Sequence, residues 1–226
     1  MIVPGVIMLC VMAFFFYASY SIRANIYMHV FCRKETEEKV VAITFDDGPD
    51  SIQTPKVLKV LRERGVKACF FCIGSKIKGN EELLRQIVKE GHGIGNHSYS
   101  HAACFPLYTS RRMHRDLTAC QQELERVTGQ PVKWFRPPFG VTNPTIAKVV
   151  GRLGYTPVGW NIRTLDTRQE APEKILKRIR KRLVPGSVIL LHDRLPDSDR
   201  LLLQVLELVE KEGFSVVALE ELMKYA

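Results

Sequence analysis

Residues 40–49 read VVAITFDDGP. Val40 to Phe45 is short, apolar and rich in β-branched residues, as suits a strand buried on both faces. It ends on two adjacent carboxylates, Asp46 and Asp47, and Gly48-Pro49 then turns the chain away. A strand of this kind belongs to a parallel sheet, and parallel sheets gather their chemistry at the strands' C-terminal ends.

Outward from this stretch the chain alternates. Strands are expected at 67–73, 92–95, 134–136, 157–162, 187–191 and 214–219, and helices at 54–64, 81–90, 110–127, 144–153, 172–183 and 199–212. Gly65, Gly91, Gly129, Gly154 and Gly213 close helices. Strict βα alternation gives a parallel sheet with helices outside. Both a doubly wound open sheet and an incomplete (β/α) barrel fit, since a full barrel usually needs ~250 residues. Residues 38–226 read as one domain.

The chain has 226 residues, 33 basic and 24 acidic, for a net charge of +9. With 46% hydrophobic and 25% charged residues it has a folded protein's composition, not a disordered one's. No charged side chain falls in residues 1–22, MIVPGVIMLCVMAFFFYASYSI. A run of roughly 20 apolar residues can cross a bilayer, and one that is apolar all round is not an amphipathic core helix. It lacks the basic start and small-residue cleavage site of a signal peptide. Residues 1–22 are therefore expected as a transmembrane anchor and 23–37 as a linker. The other long stretch without Asp, Glu, Lys or Arg, residues 91–110, carries three histidines and many polar side chains, so a multi-pass protein is not expected. Arg23, Arg33 and Lys34 follow the anchor, and the positive-inside bias would put that side in the cytoplasm.

Much of the basic excess sits in residues 171–183, APEKILKRIRKRL, an amphipathic helix. A solvated face is the plain reading, and attraction to anionic lipid or polymer the functional one. Nucleic acid is not expected, because no phosphate loop or interleaved aromatic residues accompany it. Cys69 and Cys72 lie on opposite faces of a strand and read as small buried hydrophobes, not a redox pair.

The notable polar residues all fall at or just past expected strand ends. Asp46 and Asp47 point apart on an extended chain, so one can bind a metal while the other does acid–base work; helix capping is the plainer alternative. His97 and His101 have the spacing that puts two imidazoles on one face of a helical turn. With Asp47 they offer two nitrogens and one oxygen, leaving a position for water, as in a catalytic zinc site. Arg136-Pro137-Pro138-Phe139-Gly140 is a rigid turn. Its arginine can tune a carboxylate, and its backbone can aim an N–H at an oxyanion. Trp160 to Asp166 and Leu190-Leu191-His192-Asp193 complete the set.

These five segments, in this order, resemble the motifs of the NodB-type polysaccharide deacetylases, carbohydrate esterase family four. The resemblance covers roughly residues 38 to 222. It implies a distorted, incomplete (β/α) barrel of about seven units, a divalent metal (usually zinc) and removal of N-acetyl groups from N-acetylglucosamine glycans such as peptidoglycan or chitin-like polymers. Carried to the matching positions, it implies Asp46 as general base and Asp47, His97 and His101 as metal ligands. Arg136 would orient Asp46, the Phe139 backbone N–H would hold the oxyanion, and His192 would be the general acid with Asp166 as partner. An O-acetyl esterase on acetylated sugars would use the same chemistry, and a non-catalytic glycan-binding relative is a third reading. Many relatives carry Asp at Arg163, Trp at Thr167 and Tyr at Phe139, so the sugar pocket differs. Trp160 and Leu190 are candidate pocket walls, with core packing the alternative. His92 is expected to support the His97 loop. The expected partners are an acetylated glycan and, through the N-terminal helix, a membrane, with the catalytic domain on the outer side.

Overall fold

The computed structural model describes residues 2–168 and 170–225, with side chains from Gly5 onward. Met1, Gln169 and Ala226, which the expected segments include, lie outside the described residues. In chain order the elements are α1 (Ile2–Tyr20), β1 (Val40–Asp46), α2 (Gln53–Glu63), β2 (Cys69–Cys72), α3 (Glu81–Lys89), β3 (Gly93–Asn96), α4 (Ser110–Thr128), β4 (Trp134–Phe135), α5 (Pro144–Arg152), β5 (Thr156–Pro157), β6 (Ile162–Arg163), α6 (Pro172–Arg182), β7 (Ser187–His192), α7 (Ser198–Lys211), β8 (Ser215–Val216) and α8 (Leu219–Lys224). Every strand pairing is parallel, in the path β5-β4-β3-β2-β1-β7-β6, with β8 beside the start of β1.

That order decides between the two closures. β5 and β6 lie at opposite edges, yet only residues 158–161 separate them. A flat sheet would hold them roughly 29 Å apart, at ~4.8 Å per strand spacing. The link can reach only about 17 Å, at ~3.4 Å per residue. The sheet must therefore curl into an incomplete barrel. The single strand expected at 157–162 is for the same reason two short ones, because Val158 to Asn161 leave the ladder to cross the open side. Residues 30–33, expected within a linker, close that side further. Phe31 bridges Val158, Arg33 bridges Ser187, and Val30 and Cys32 are buried. The strand expected at 214–219 is shorter too: β8 ends at Val216, and Leu219 and Leu222 of α8 pack into the interior with Val40.

Two apolar layers follow from strand parity. Val41, Ile43 and Phe45 of β1 face the helices, beside Val57, Leu58 and Leu61 of α2. Ala42 faces the barrel interior with Phe71, Val188 and Leu190. Cys69 joins the interior and Cys72 the helix layer, and both thiols are free. Gly95 belongs on the inner face, where any Cβ would run into the Phe71 ring.

The apolar run at the N-terminus forms α1, with Val6 to Tyr17 exposed. Its C-terminal end docks on the domain. The Thr142 hydroxyl donates to the Ala18 carbonyl at 3.2 Å, the Thr142 N–H donates to the Ser19 carbonyl at 2.9 Å, and Ile22 is buried. Among the described residues no helix is long and apolar enough to cross a membrane. The transmembrane expectation for residues 1–22 thus finds no support, since Ala18 to Ile22 are committed to the domain.

Candidate active site

Parity that sends Val41, Ile43 and Phe45 outward sends Thr44 and Asp46 inward, at the C-terminal mouth. His192, last in β7, is the register partner of Asp46, so the two side chains stand side by side. Arg136 enters the same interior just past β4 and is fully buried. Its guanidinium donates to Asp46 Oδ1 at 2.7 Å, Thr44 Oγ1 at 2.9 Å, the Val158 carbonyl at 3.1 Å and the Gly159 carbonyl at 2.8 Å. It lies 4.0 Å from the Phe71 ring centroid and 5.5 Å from that of Trp160. A buried guanidinium costs heavily unless every donor is matched, and this one is nearly saturated.

His97 and His101 do not share a helical turn. Ser98 (φ 67°) and His101 (φ 44°) are left-handed. Asn96 Oδ1 accepts from the Ser98 N–H at 2.8 Å, and Ser98 Oγ accepts from the His101 N–H at 2.9 Å. This tight loop still brings the two ring centroids within 4.8 Å, tilted at 45°. His97 Nδ1 is 2.8 Å from the Arg136 carbonyl oxygen. Donating there leaves its Nε2 lone pair facing the carboxylates, the arrangement of a metal-ligating histidine. Nε2 of His97 lies 3.6 Å, and Nε2 of His101 3.4 Å, from Asp47 Oδ1. Ligand atoms of Asp47, His97 and His101 all lie within 4.8 Å of one another, so the donor set fits a divalent ion.

The surroundings prepare these donors. Burial works to raise the Asp47 carboxyl. Neighbouring His97, the Arg194 hydrogen bond, His192 and His101 outweigh it and hold it at about 2. Burial, reinforced by His97, pushes His101 down to about 4. An ionised carboxylate and a neutral imidazole are the forms a cation needs. Arg194 Nε donates to Asp47 Oδ2 at 2.8 Å, and Lys76 Nζ donates to the Asp47 carbonyl at 2.8 Å.

His192 is gripped by Asp166 at two points, Nδ1 to Oδ1 and backbone N–H to Oδ2, both at 2.8 Å. Burial opposes charging the imidazole, but the Asp166 hydrogen bond and charge, with Asp46 and Asp47, raise it above its ordinary value. Asp193 turns the other way and is fully buried under the Gly48 turn, where a Cβ would run into its carboxylate. Burial pushes Asp193 up to about 7, against a 2.5 Å hydrogen bond from Thr54.

Backbone strain concentrates here. Of seven non-glycine residues with positive φ among the described residues, five flank this mouth: Asp47, Ser98, His101, Phe139 and Leu165. Such conformations persist where the surroundings over-determine them, commonly at functional sites. Phe139 (φ 62°) is 45% exposed, with its ring 4.8 Å from His101. Trp160 is buried against Arg136, and Leu190 packs in the interior core. His92 lies beneath β2, its Nδ1 accepting from the Ala68 N–H at 3.3 Å. Sequence reading passed over Arg194, Lys76 and Thr44. Arg194 had a usable signal, because it follows His192-Asp193 at a strand end.

The sequence profile of the family described as "Polysaccharide deacetylase" matches residues 33–158. The chain is 35% identical over 197 residues to a peptidoglycan-N-acetylglucosamine deacetylase of Bacillus cereus, covering 83% of this chain and 90% of that one. It is 32% identical over 192 residues to the peptidoglycan-N-acetylmuramic acid deacetylase PdaA of Bacillus subtilis, covering 83% and 73%. Among solved structures, a CE4 family pseudoenzyme from Bacillus anthracis superposes with a TM-score of 0.80 at 26% identity, covering 87% of this chain and 69% of that one.

Proposed function

Because this chain belongs to the polysaccharide deacetylase family, we propose that it is a metal-dependent hydrolase removing N-acetyl groups from an N-acetylglucosamine-containing glycan, of the peptidoglycan or chitin-like class. The observation that carries the reading is the register pairing of Asp46 with His192, beside a cluster able to hold a cation.

A divalent ion held by Asp47, His97 and His101, zinc by its donor set, would polarise the acetyl carbonyl and acidify a water toward a pKa of ~7. Asp46 accepts the attacking water's proton, and Arg136 fixes which of its oxygens is free to do so. The Phe139 backbone N–H donates to the carbonyl oxygen as that oxygen gains charge. His192 gives its proton to the departing amine, and Asp166 keeps it charged until then. A C–O bond forms, the C–N bond breaks, and acetate and a free amine leave.

Acetate release by the full chain from N-acetylglucosamine oligomers tests this. Asp46→Asn and His192→Ala should each abolish it. Turnover of O-acetyl sugars alone would establish the esterase instead. The likeness to a pseudoenzyme gives the binding-only reading its own test: metal-loaded wild type that binds glycan yet releases no acetate.

Attachment to a membrane, with the catalytic domain on the outer face where envelope glycan lies, belongs to the same proposal. The exposed apolar surface of Val6 to Tyr17 supports it. The full chain should float with lipid vesicles, and a chain lacking residues 2–16 should not.

A further inference from the structure

A groove of about 590 Å³ runs beside the candidate site. Four arginines line it: Arg23, Arg33, Arg163 and Arg182. All four are exposed, and no carboxylate lines the groove. Among the described residues none of them lies within ion-pair distance of an Asp or Glu, although nine other arginines do. They come from four different parts of the chain: the segment after α1, the closing stretch at 30–33, β6 and the end of α6. Helical periodicity does not account for such a convergence. Like charges brought together without partners oppose folding, and an anion relieves them. The guanidinium fork matches carboxylate or phosphate oxygens in pairs, which a lysine cannot do. Arg33 is already fixed, its Nε donating to the Pro185 carbonyl at 3.1 Å.

The groove shares two walls with the site. Phe139, whose ring touches His101, lines it, and so does Trp160. The Trp160 ring has the Arg136 guanidinium 5.5 Å from its centroid and the Arg163 guanidinium 5.7 Å from it. One indole therefore separates the arginine that holds Asp46 from the first arginine of the groove. The volume suits a small polar ligand or a short stretch of polymer.

We infer that this groove binds an anionic substituent, a carboxylate or a phosphate, carried by the glycan next to the acetamido sugar that enters the site. This rests on the deacetylase reading and adds a substrate requirement to it: the polymer is charged, and its charge sets which acetyl group reaches the mouth. Arg163 and Arg182 are then specificity-determining residues.

The test compares three oligosaccharides of equal length with the full chain in neutral detergent: a neutral N-acetylglucosamine oligomer, one with alternate sugars bearing a carboxylate, and one bearing a phosphate. KM is measured for each, and Kd for each on Asp46→Asn protein. An anionic oligomer should bind about tenfold more tightly than the neutral one. Whichever anion is preferred identifies the group. The preference should shrink at high salt, a readout that needs no variant, and should collapse toward one in Arg163→Gln/Arg182→Gln. Equal KM and Kd for neutral and anionic oligomers would overturn the inference while leaving the deacetylase reading in place. A preference that survives the double substitution, with loss of binding to anionic vesicles instead, would assign the groove to lipid and also overturn it. If no oligomer releases acetate, the deacetylase reading fails, and the Kd values on Asp46→Asn protein still decide the groove.

Discussion

Arg194 holds one oxygen of Asp47 at 2.8 Å while both histidines face the other. Asp47 can thus offer a cation only Oδ1, already aimed. Arg194→Gln should lower divalent-metal affinity about tenfold, the usual cost of losing a group that orients a ligand. Metal titration of chelator-stripped protein measures this, and unchanged affinity would mean the ion pair is incidental.

Arg136→Ala should destabilise the fold by about 3–5 kcal/mol, because it strands a buried carboxylate and two buried carbonyls. Urea unfolding at neutral pH reads the loss. Arg136→Lys should recover only part of it, since an ammonium cannot span Asp46, Val158 and Gly159 together.

Asp166→Asn bears on pH dependence. His192 is raised above its ordinary value, with Asp166 the main favourable partner. An acid that must be protonated loses activity as pH rises through its pKa. Removing the Asp166 charge should move that alkaline limb of kcat/KM to lower pH. A limb that stays in place would remove His192 from the acid role.

His92 predicts a stability change well away from the mouth. Burial, aided by the Lys67 charge, lowers it from 6.5 to about 4. Above pH 6.5 the imidazole is neutral in both folded and unfolded chains. Between 6.5 and 4 the unfolded chain takes up a proton that the native state refuses, so stability falls as pH drops, by about 3 kcal/mol in all. Below about 4 the loss levels off. His92→Gln should flatten this slope in denaturant titrations at pH 7 and 5.

The charge pattern invites a soluble version starting at residue 24, but it should be a poor one. Ile22 is buried beneath Gly140 and Gly159, whose carbonyl Arg136 grips. Starting at residue 24 should lower the free energy of unfolding relative to a chain starting at residue 17 by at least the cost of one buried isoleucine, about 2–5 kcal/mol, since the Ala18 and Ser19 bonds to Thr142 go with it.

Much of this was legible in sequence because the period-2 and period-3.6 signals were strong. β1 and β7 were expected within one residue of their ends, and Asp46, Asp47, His97, His101, Arg136, His192 and Asp166 meet at one mouth. What stayed hidden depended on topology. Val158 to Asn161 look like strand because Val158 and Trp160 are apolar at alternate positions, and only the strand order shows that they must leave the ladder. Residues 30–33 look like linker because their neighbours are charged, and their partners, Pro157 and Pro185, lie more than a hundred residues away. The histidine loop has helical spacing but not helical φ, since Asn96 and Ser98 offer the backbone a competing set of hydrogen bonds. Arg194 is marked by following His192-Asp193 at a strand end, but only the fold sets Asp47 opposite it.

The crossing segment 158–161 has an evolutionary corollary. Arg136 donates to two of its carbonyls and to Asp46 with one side chain. Length added between residues 157 and 162 would slacken barrel closure and aim of the base together. This crossing should therefore keep a fixed length across relatives that retain activity.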